Sequence, residues 1–277
     1  MKAFILDSIG LTDAVAWVLT AIFFCGSAFL YQGDLAMSFL GAGGIIFTMF
    51  LVGTSVEVLI ETMKNVPGIG TLTGFLTNGP EALVVIVGLI NGDILFASST
   101  PLGSNFMNPV LLLCAGLLTH RLVAVWRVAP LYFTLSIALT AAVAGSFYLI
   151  TTEMYWLWVG VLALVSGVLF YKRPKEEEMP EDELAVSKMW FVPALLVLLG
   201  AGYFLDPVVN FASDASQVPK GIIGFLVLST LTSWPEFKST LALLRRNLAV
   251  AAVLNIVVSN ITNLWLAGVG VLVFLLF

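Results

Sequence analysis

The chain has 277 residues, 60% of them hydrophobic and only 10% charged, with a formal net charge of −5 and a mean hydropathy of +1.04. Soluble domains carry about a quarter charged residues, so this composition excludes an ordinary water-soluble fold. The apolar runs are continuous, and several exceed the roughly 20 residues a helix needs to cross a bilayer. A β-barrel would instead show alternating segments of about 10 residues.

The expected fold is therefore all-α: a polytopic transmembrane helical bundle of about nine spans. In chain order they are predicted near residues 11–31, 38–62, 70–91, 94–118, 126–149, 154–171, 189–211, 220–244 and 248–274. The first is long and lacks a small-residue cleavage site, so it reads as a span and not as a removed signal. Cys25 and Cys114 fall inside spans and read as apolar packing. The third, fourth and eighth spans contain helix-breaking or polar residues. The stretch KRPKEEEMPEDELAVSK, residues 172–188, is the strongly polar linker, expected to be a solvated connector between two membrane halves.

The basic residues test this count. With nine spans, Lys2, Lys64, Arg121, Arg127, Lys172, Arg173, Lys175, Lys188, Arg245 and Arg246 fall on one side, and only Lys220 on the other. Lys238 lies inside a span. The N-terminus and the 172–188 linker are thus expected in the cytoplasm and the C-terminus outside, in a plasma (inner) membrane.

Two segments repeat. Residues 76–108, LTNGPEALVVIVGLINGDILFASSTPLGSNFMN, align without a gap to residues 231–263, LTSWPEFKSTLALLRRNLAVAAVLNIVVSNITN, at an offset of 155. Leu76, Thr77, Pro80, Glu81, Leu89, Ala97, Ser104, Asn105 and Asn108 recur as Leu231, Thr232, Pro235, Glu236, Leu244, Ala252, Ser259, Asn260 and Asn263. Isolated leucine or alanine matches mean little in so apolar a chain. A shared L-T-x-x-P-E followed at the same distance by S-N-x-x-N means more. Five spans separate the two copies, and an odd number inverts the second relative to the first. Inverted repeats with broken helices meeting near the bilayer midplane are an architecture of secondary transporters.

The repeated residues have a common chemistry. Proline removes a backbone donor and frees carbonyls of the preceding turn, which in lipid is tolerated where protein lines a cavity. A glutamate at that depth needs neutralising. Two carboxylates brought toward one centre, Glu81 and Glu236, repel unless a proton or cation sits between them. Ser104 and Asn108, like Ser259 and Asn263, are four apart and share a helix face. Thr77, Asn78, Thr232 and Ser233 lie within a turn before the glutamates. Oxygen ligands without histidine or cysteine suit a hard cation such as calcium, sodium or magnesium. Singly, such serines and asparagines are more often interhelical glue, and a lone proline a kink; their symmetric recurrence favours an ion site. Asn105 and Asn260 turn away from Ser104 and Ser259 and are expected to bond backbone or neighbouring helices. Lys238 would point roughly opposite Glu236 on a regular helix, either snorkelling or pairing elsewhere.

At these residues the chain resembles the sodium/calcium exchangers of the calcium/cation antiporter superfamily. That family's two inverted alpha-repeats carry G-T-S-x-P-E and G-S-N-x-x-N elements, matched here by TNGPE with GSNFMN and by TSWPE with VSNITN. The resemblance spans roughly residues 38–274. It implies that Glu81 and Glu236 are shared central carboxylates. It further implies that Ser104, Asn108, Ser259, Asn263 and Ser233 give side-chain oxygens, and that Thr77 and Thr232 offer backbone carbonyls. The implied activity is alternating-access exchange of sodium for calcium, needing no cofactor, with calcium and sodium as transported ions.

The departures matter. Asn78 stands where the family usually has serine, and Thr100 where the second copy keeps Asn255. Asparagine at both 108 and 263, where potassium-dependent relatives carry aspartate, implies no potassium requirement. The family core has ten spans. Here residues 1–37 add an N-terminal span, 38–171 form a first half with alpha-repeat 1, 172–188 the cytoplasmic acidic linker, and 189–277 a shortened second half with alpha-repeat 2. The first span or a partner subunit, which includes a second copy of the chain, is expected to cover the surface that the missing helices would cover. Membrane lipid is the other expected partner; nucleic acid is not. Two further readings stay open: a proton-coupled exchanger of calcium or another divalent cation, and a membrane scaffold with a vestigial ion site. An enzyme is not expected, since His120 is the only histidine and phosphate-binding glycine motifs are absent.

Overall fold

The computed structural model describes residues 4, 9–90, 94–176, 185–218 and 229–277. Every regular element among them is helical: α1 (Leu11–Tyr31), α2 (Leu35–Met63), α3 (Ile69–Leu76), α4 (Gly79–Ile90), α5 (Ile94–Leu118), α6 (Leu122–Arg127), α7 (Pro130–Ser146), α8 (Tyr155–Tyr171), α9 (Phe191–Ser216), α10 (Ser229–Thr232), α11 (Trp234–Arg245) and α12 (Ala249–Leu276). The sequence forces this choice. A continuous apolar run in lipid must satisfy its backbone within the segment, and a helix does so. The chain is an all-α polytopic bundle with eight stretches long and apolar enough to cross a membrane among the described residues. They correspond to eight of the nine predicted spans. The ninth, near 220–244, falls partly outside the described residues; its described part is α10 and α11. Lys2 and Lys220 also lie outside them.

Contacts divide the chain into two compact units. The first comprises Met1–Thr62 with Leu184–Trp234. Here the α1–α2 turn is tied to the end of α9, the Asp34 N–H donating to the Ala215 carbonyl at 2.9 Å. At the far end of α2 the buried Glu61 carboxylate accepts the Ala185 N–H at 2.8 Å.

The second unit, Met63–Glu183 with Pro235–Phe277, is organised around α12, which is buried along most of its length between Ala251 and Val271. Leu102, Phe147, Trp158, Leu162, Leu264 and Val271 form its apolar core. The Trp158 indole spends its N–H on the Val143 carbonyl at 3.0 Å, which lets so large a ring be buried without an orphaned donor. On the other side of α12, Phe75 stacks on Trp265, and Phe170 meets the same indole edge-on.

The sequence repeat reappears in helix boundaries. Helices α4 and α11 each have 12 residues, and their first residues, Gly79 and Trp234, are offset by the same interval as the repeat. So are Ile94 and Ala249, which open α5 and α12. Each copy is thus a broken helix, a 12-residue second half, and a long following helix.

Cys114 is exposed on α5 and Cys25 half-buried on α1. One reading needs correction. The linker is more than a solvated connector: Glu176 accepts the Gly70 N–H at 2.7 Å, and the Thr71 N–H and hydroxyl at 2.9 and 2.7 Å. These are orphan donors of the first turn of α3, so the linker caps the first half-helix of repeat one. Residues 177–184 of the linker lie outside the described residues.

Candidate ion-binding site

Between α3 and α4 the regular helix is interrupted at Thr77 and Asn78. Pro80 causes the break. It has no N–H to offer the Leu76 carbonyl four residues back, yet it sits comfortably in the first turn of α4. Glu81 follows in that same turn, where aligned peptide dipoles favour negative charge. The second copy repeats the construction, with Ser233 at the break, Pro235 in the first turn of α11, and Glu236 beside it. Both glutamates are at most 1% exposed.

A close approach of α3 to α12 brings the first break to the second copy. Gly70 and Gly74 lie on one face of α3, four residues apart. A Cβ at Gly74 would sit 2.7 Å from the Asn255 carbonyl oxygen and 2.9 Å from Val258 Cβ, and one at Gly70 would collide with the backbone of Ala251. Small residues at this spacing let helix backbones meet in a membrane. One turn further along the same face stands Asn78. Its amide donates to the Gly74 carbonyl at 2.5 Å, and its Oδ1 lies 3.4 Å from Ser259 Oγ on α12.

Ser259 is the hub. Its hydroxyl lies 3.3 Å from Glu236 Oε1 and accepts the Asn108 amide at 3.0 Å. Thr77 stands beside the Glu236 carboxylate. Glu81 has Ser104 and the Glu236 carboxylate as its electrostatic neighbours. Seven of the expected residues are therefore drawn into one cluster: Glu81, Glu236, Ser104, Asn108, Ser259, Thr77 and Asn78. Asn263 is fully buried on the α12 face carrying Ser259, with no hydrogen bond to either amide atom among the described residues. Thr232 and Ser233 belong to the first compact unit, apart from this cluster's unit. Ser233 is buried and Thr232 half-buried.

The cluster is rich in acceptors that lack donors. Both oxygens of Glu81, Oε2 of Glu236, and Oδ1 of Asn108 and of Asn263 are buried without a hydrogen-bond partner among the described residues. Native interiors rarely leave such groups unpaired, because each costs about 1–3 kcal/mol. An oxygen-only set with two carboxylates fits a desolvated hard cation. Among the described residues no group of three or more His, Cys, Asp and Glu that could hold a metal ion occurs, so the charge in this cluster comes from the glutamate pair and its other polar side chains are neutral.

Sequence reasoning missed several members. Asn260 bonds a neighbouring helix and a backbone carbonyl, as expected, but it also holds Asn108, and Thr140 of α7 holds Asn260. Asn255 ties α12 to α11, its amide reaching the Glu236 carbonyl at 3.2 Å and Thr240 Oγ1 at 3.0 Å. The Gly70–Gly74 spacing was a readable signal for close packing; nothing local marks Thr140. Lys238 does not snorkel. It is 1% exposed and engaged with a partner.

Residues 189–276 match the family model described as sodium/calcium exchanger protein. This segment, about a third of the chain, is similar to sodium/calcium exchangers. The match covers the second copy, whose repeated residues the first copy shares. No curated protein and no solved structure gave a match. The exchanger family consists of membrane transporters of calcium and other cations, and the apolar helices of this chain make it an integral membrane protein.

Proposed function

We propose that the chain is a secondary antiporter that exchanges sodium for calcium by alternating access, with Glu81 and Glu236 as the shared carboxylates. The observation that carries this reading is the group of buried acceptor oxygens without donors on Glu81, Glu236, Asn108 and Asn263. Two carboxylates balance one calcium ion, and the neutral oxygens of Ser104, Asn108, Ser259 and Asn263 complete a flexible oxygen shell of the kind calcium accepts. Thr77 would add a backbone carbonyl at the helix break, and Asn78 a side-chain oxygen.

Sodium ions compete for the same oxygens, so one ion set must leave before the other binds. An apolar interior disfavours the bare carboxylate pair, which ties reorientation of the site to occupancy and makes the fluxes obligatorily coupled. Within this reading, residues 38–171 and 189–277 are the two inverted halves, residues 1–37 an added span, and 172–188 a cytoplasmic linker. The distribution of basic residues supports a cytoplasmic N-terminus and an external C-terminus in the plasma membrane.

The test is calcium-45 uptake into sodium-loaded proteoliposomes. Uptake should require an outward sodium gradient and vanish in E81Q and in E236Q. Equal uptake on a proton gradient without sodium would replace the driver, and undiminished uptake in both variants would remove the site.

A further inference from the structure

We propose that Asn260 and Thr140 are positioning residues, which lock the Asn108 amide so that its oxygen stays a buried acceptor open to a cation. The inference rests on the cation-site reading above and starts from a proline. Pro109 lies inside α5 and has no N–H, so the Asn105 carbonyl four residues back loses its intrahelical donor. In a membrane interior that carbonyl needs another partner. Asn260 supplies it, its Nδ2 donating to the Asn105 oxygen at 3.4 Å.

The same Nδ2 donates to Thr140 Oγ1 at 3.3 Å. Thr140 has a single hydroxyl proton, and that proton is directed down its own helix to the Ser136 carbonyl at 2.8 Å. Toward Asn260 the hydroxyl is therefore an acceptor. Both partners on this side of Asn260 accept, so the NH2 end of the amide must face them and the Oδ1 end must face away.

That Oδ1 accepts the Asn108 Nδ2 at 3.0 Å, and the second Asn108 hydrogen goes to Ser259 Oγ at 3.0 Å. With both hydrogens spent, Asn108 Oδ1 is left as a buried acceptor without a donor among the described residues. Ser259 could not impose this orientation alone, because a hydroxyl donates or accepts as its neighbour requires. Asn260 can, because a flipped Asn108 would set two amide oxygens against each other. In the pair related to Asn108 and Asn260 by the repeat, neither Asn263 nor the Asn105 side chain has a hydrogen-bond partner among the described residues. The relay is thus a property of this arrangement and not an automatic product of the S-N-x-x-N spacing.

The test uses the full chain, with T140V, which keeps the shape but cannot accept a hydrogen bond, and T140S, which can. Two quantities are read: the calcium concentration that half-saturates thermal stabilisation in detergent with calcium chloride, and the KM and maximal rate of sodium-driven calcium-45 uptake. Loss of an outer-shell partner typically weakens metal affinity about tenfold or more. T140V should therefore raise both half-saturation values about tenfold with the maximal rate within about twofold of the parent, and T140S should restore them. Should T140V not be recovered from the membrane, T140A carries the same test without the added methyl. A merely structural role would lower the calcium-free melting temperature and leave half-saturation unmoved, and that result overturns the proposal. Failure of the relay is separable from failure of the site: if E81Q and E236Q abolish calcium stabilisation while T140V and T140A bind like the parent, the relay alone is wrong. If E81Q and E236Q also bind like the parent, the cation site itself is wrong.

Discussion

Asn108 donates to Ser259 at 3.0 Å, joining the long helix of the first repeat to the equivalent helix of the second. Among the described residues its counterpart Asn263 makes no such bond, although both side chains are completely buried. The two positions are equivalent in sequence and inequivalent in structure. N108A should lower unfolding stability without calcium by about 1–3 kcal/mol, because it strands the acceptor Asn260 Oδ1 in the interior. N263A breaks no hydrogen bond among the described residues and should cost less than about half as much. Thermal unfolding of both variants in calcium-free detergent decides the matter; equal losses would mean that the asymmetry has no energetic content.

The contact of α3 with α12 gives a second prediction. A Cβ at Gly74 meets Asn255 backbone at 2.7 Å, which no flexible side chain can relieve. G74A should therefore push the helices apart and carry Asn78 away from Ser259. Overpacking of this kind costs about 1–3 kcal/mol, and half-saturating calcium should rise with it. Gly160, where nothing lies within 4 Å of an added Cβ, is the control: G160A should bind calcium and melt like the parent.

How far the sequence could be read depended on whether a property was local. Continuous apolar runs gave the spans, because bilayer thickness sets helix length directly. Pro80 and Pro235 gave the breaks, because loss of an N–H acts on the residue's own turn. The glutamates, serines and asparagines were found because they occur twice at one offset. What stayed hidden was pairing between elements. Nothing around Thr140 distinguishes it from any other membrane threonine, since its meaning comes from Asn260, 120 positions away. Glu176 sits in an acidic run and was indistinguishable from its neighbours until α3 placed Gly70 and Thr71 against it. Lys238 was predicted from helix angle to face away from Glu236, but angle alone could not say whether that side met lipid or protein.

The Glu176 cap leads to a third prediction. A carboxylate on the orphan N–H groups of a first helical turn contributes both hydrogen bonds and a favourable interaction with the helix dipole. E176A should cost about 1 kcal/mol of stability, and E176Q, which keeps an acceptor but loses the charge, about half of that. Half-saturating calcium should stay near the parent value in both, because Glu176 touches the start of α3 and the proposed cation site lies beyond its end. Melting curves with and without calcium chloride read the two effects separately. A large affinity change in E176Q would instead make the linker part of the binding equilibrium.

The carboxylate pair makes the most direct prediction about occupancy. A ligand that binds only the folded state stabilises it by RT ln(1 + [L]/Kd), about 2.7 kcal/mol when the free ion is a hundred times its dissociation constant. The parent chain should thus melt progressively higher as calcium is added, and sodium should oppose the rise by competing for the same oxygens. E81Q or E236Q leaves one carboxylate against a divalent ion and replaces a charged ligand by a neutral amide, so the calcium-dependent rise should disappear from each. Without calcium the same substitutions should raise the melting temperature, since each removes one carboxylate from a buried pair whose oxygens have few donors. Opposite responses in the two conditions are the signature of residues held for an ion. Loss of stability in both would mark the glutamates as structural.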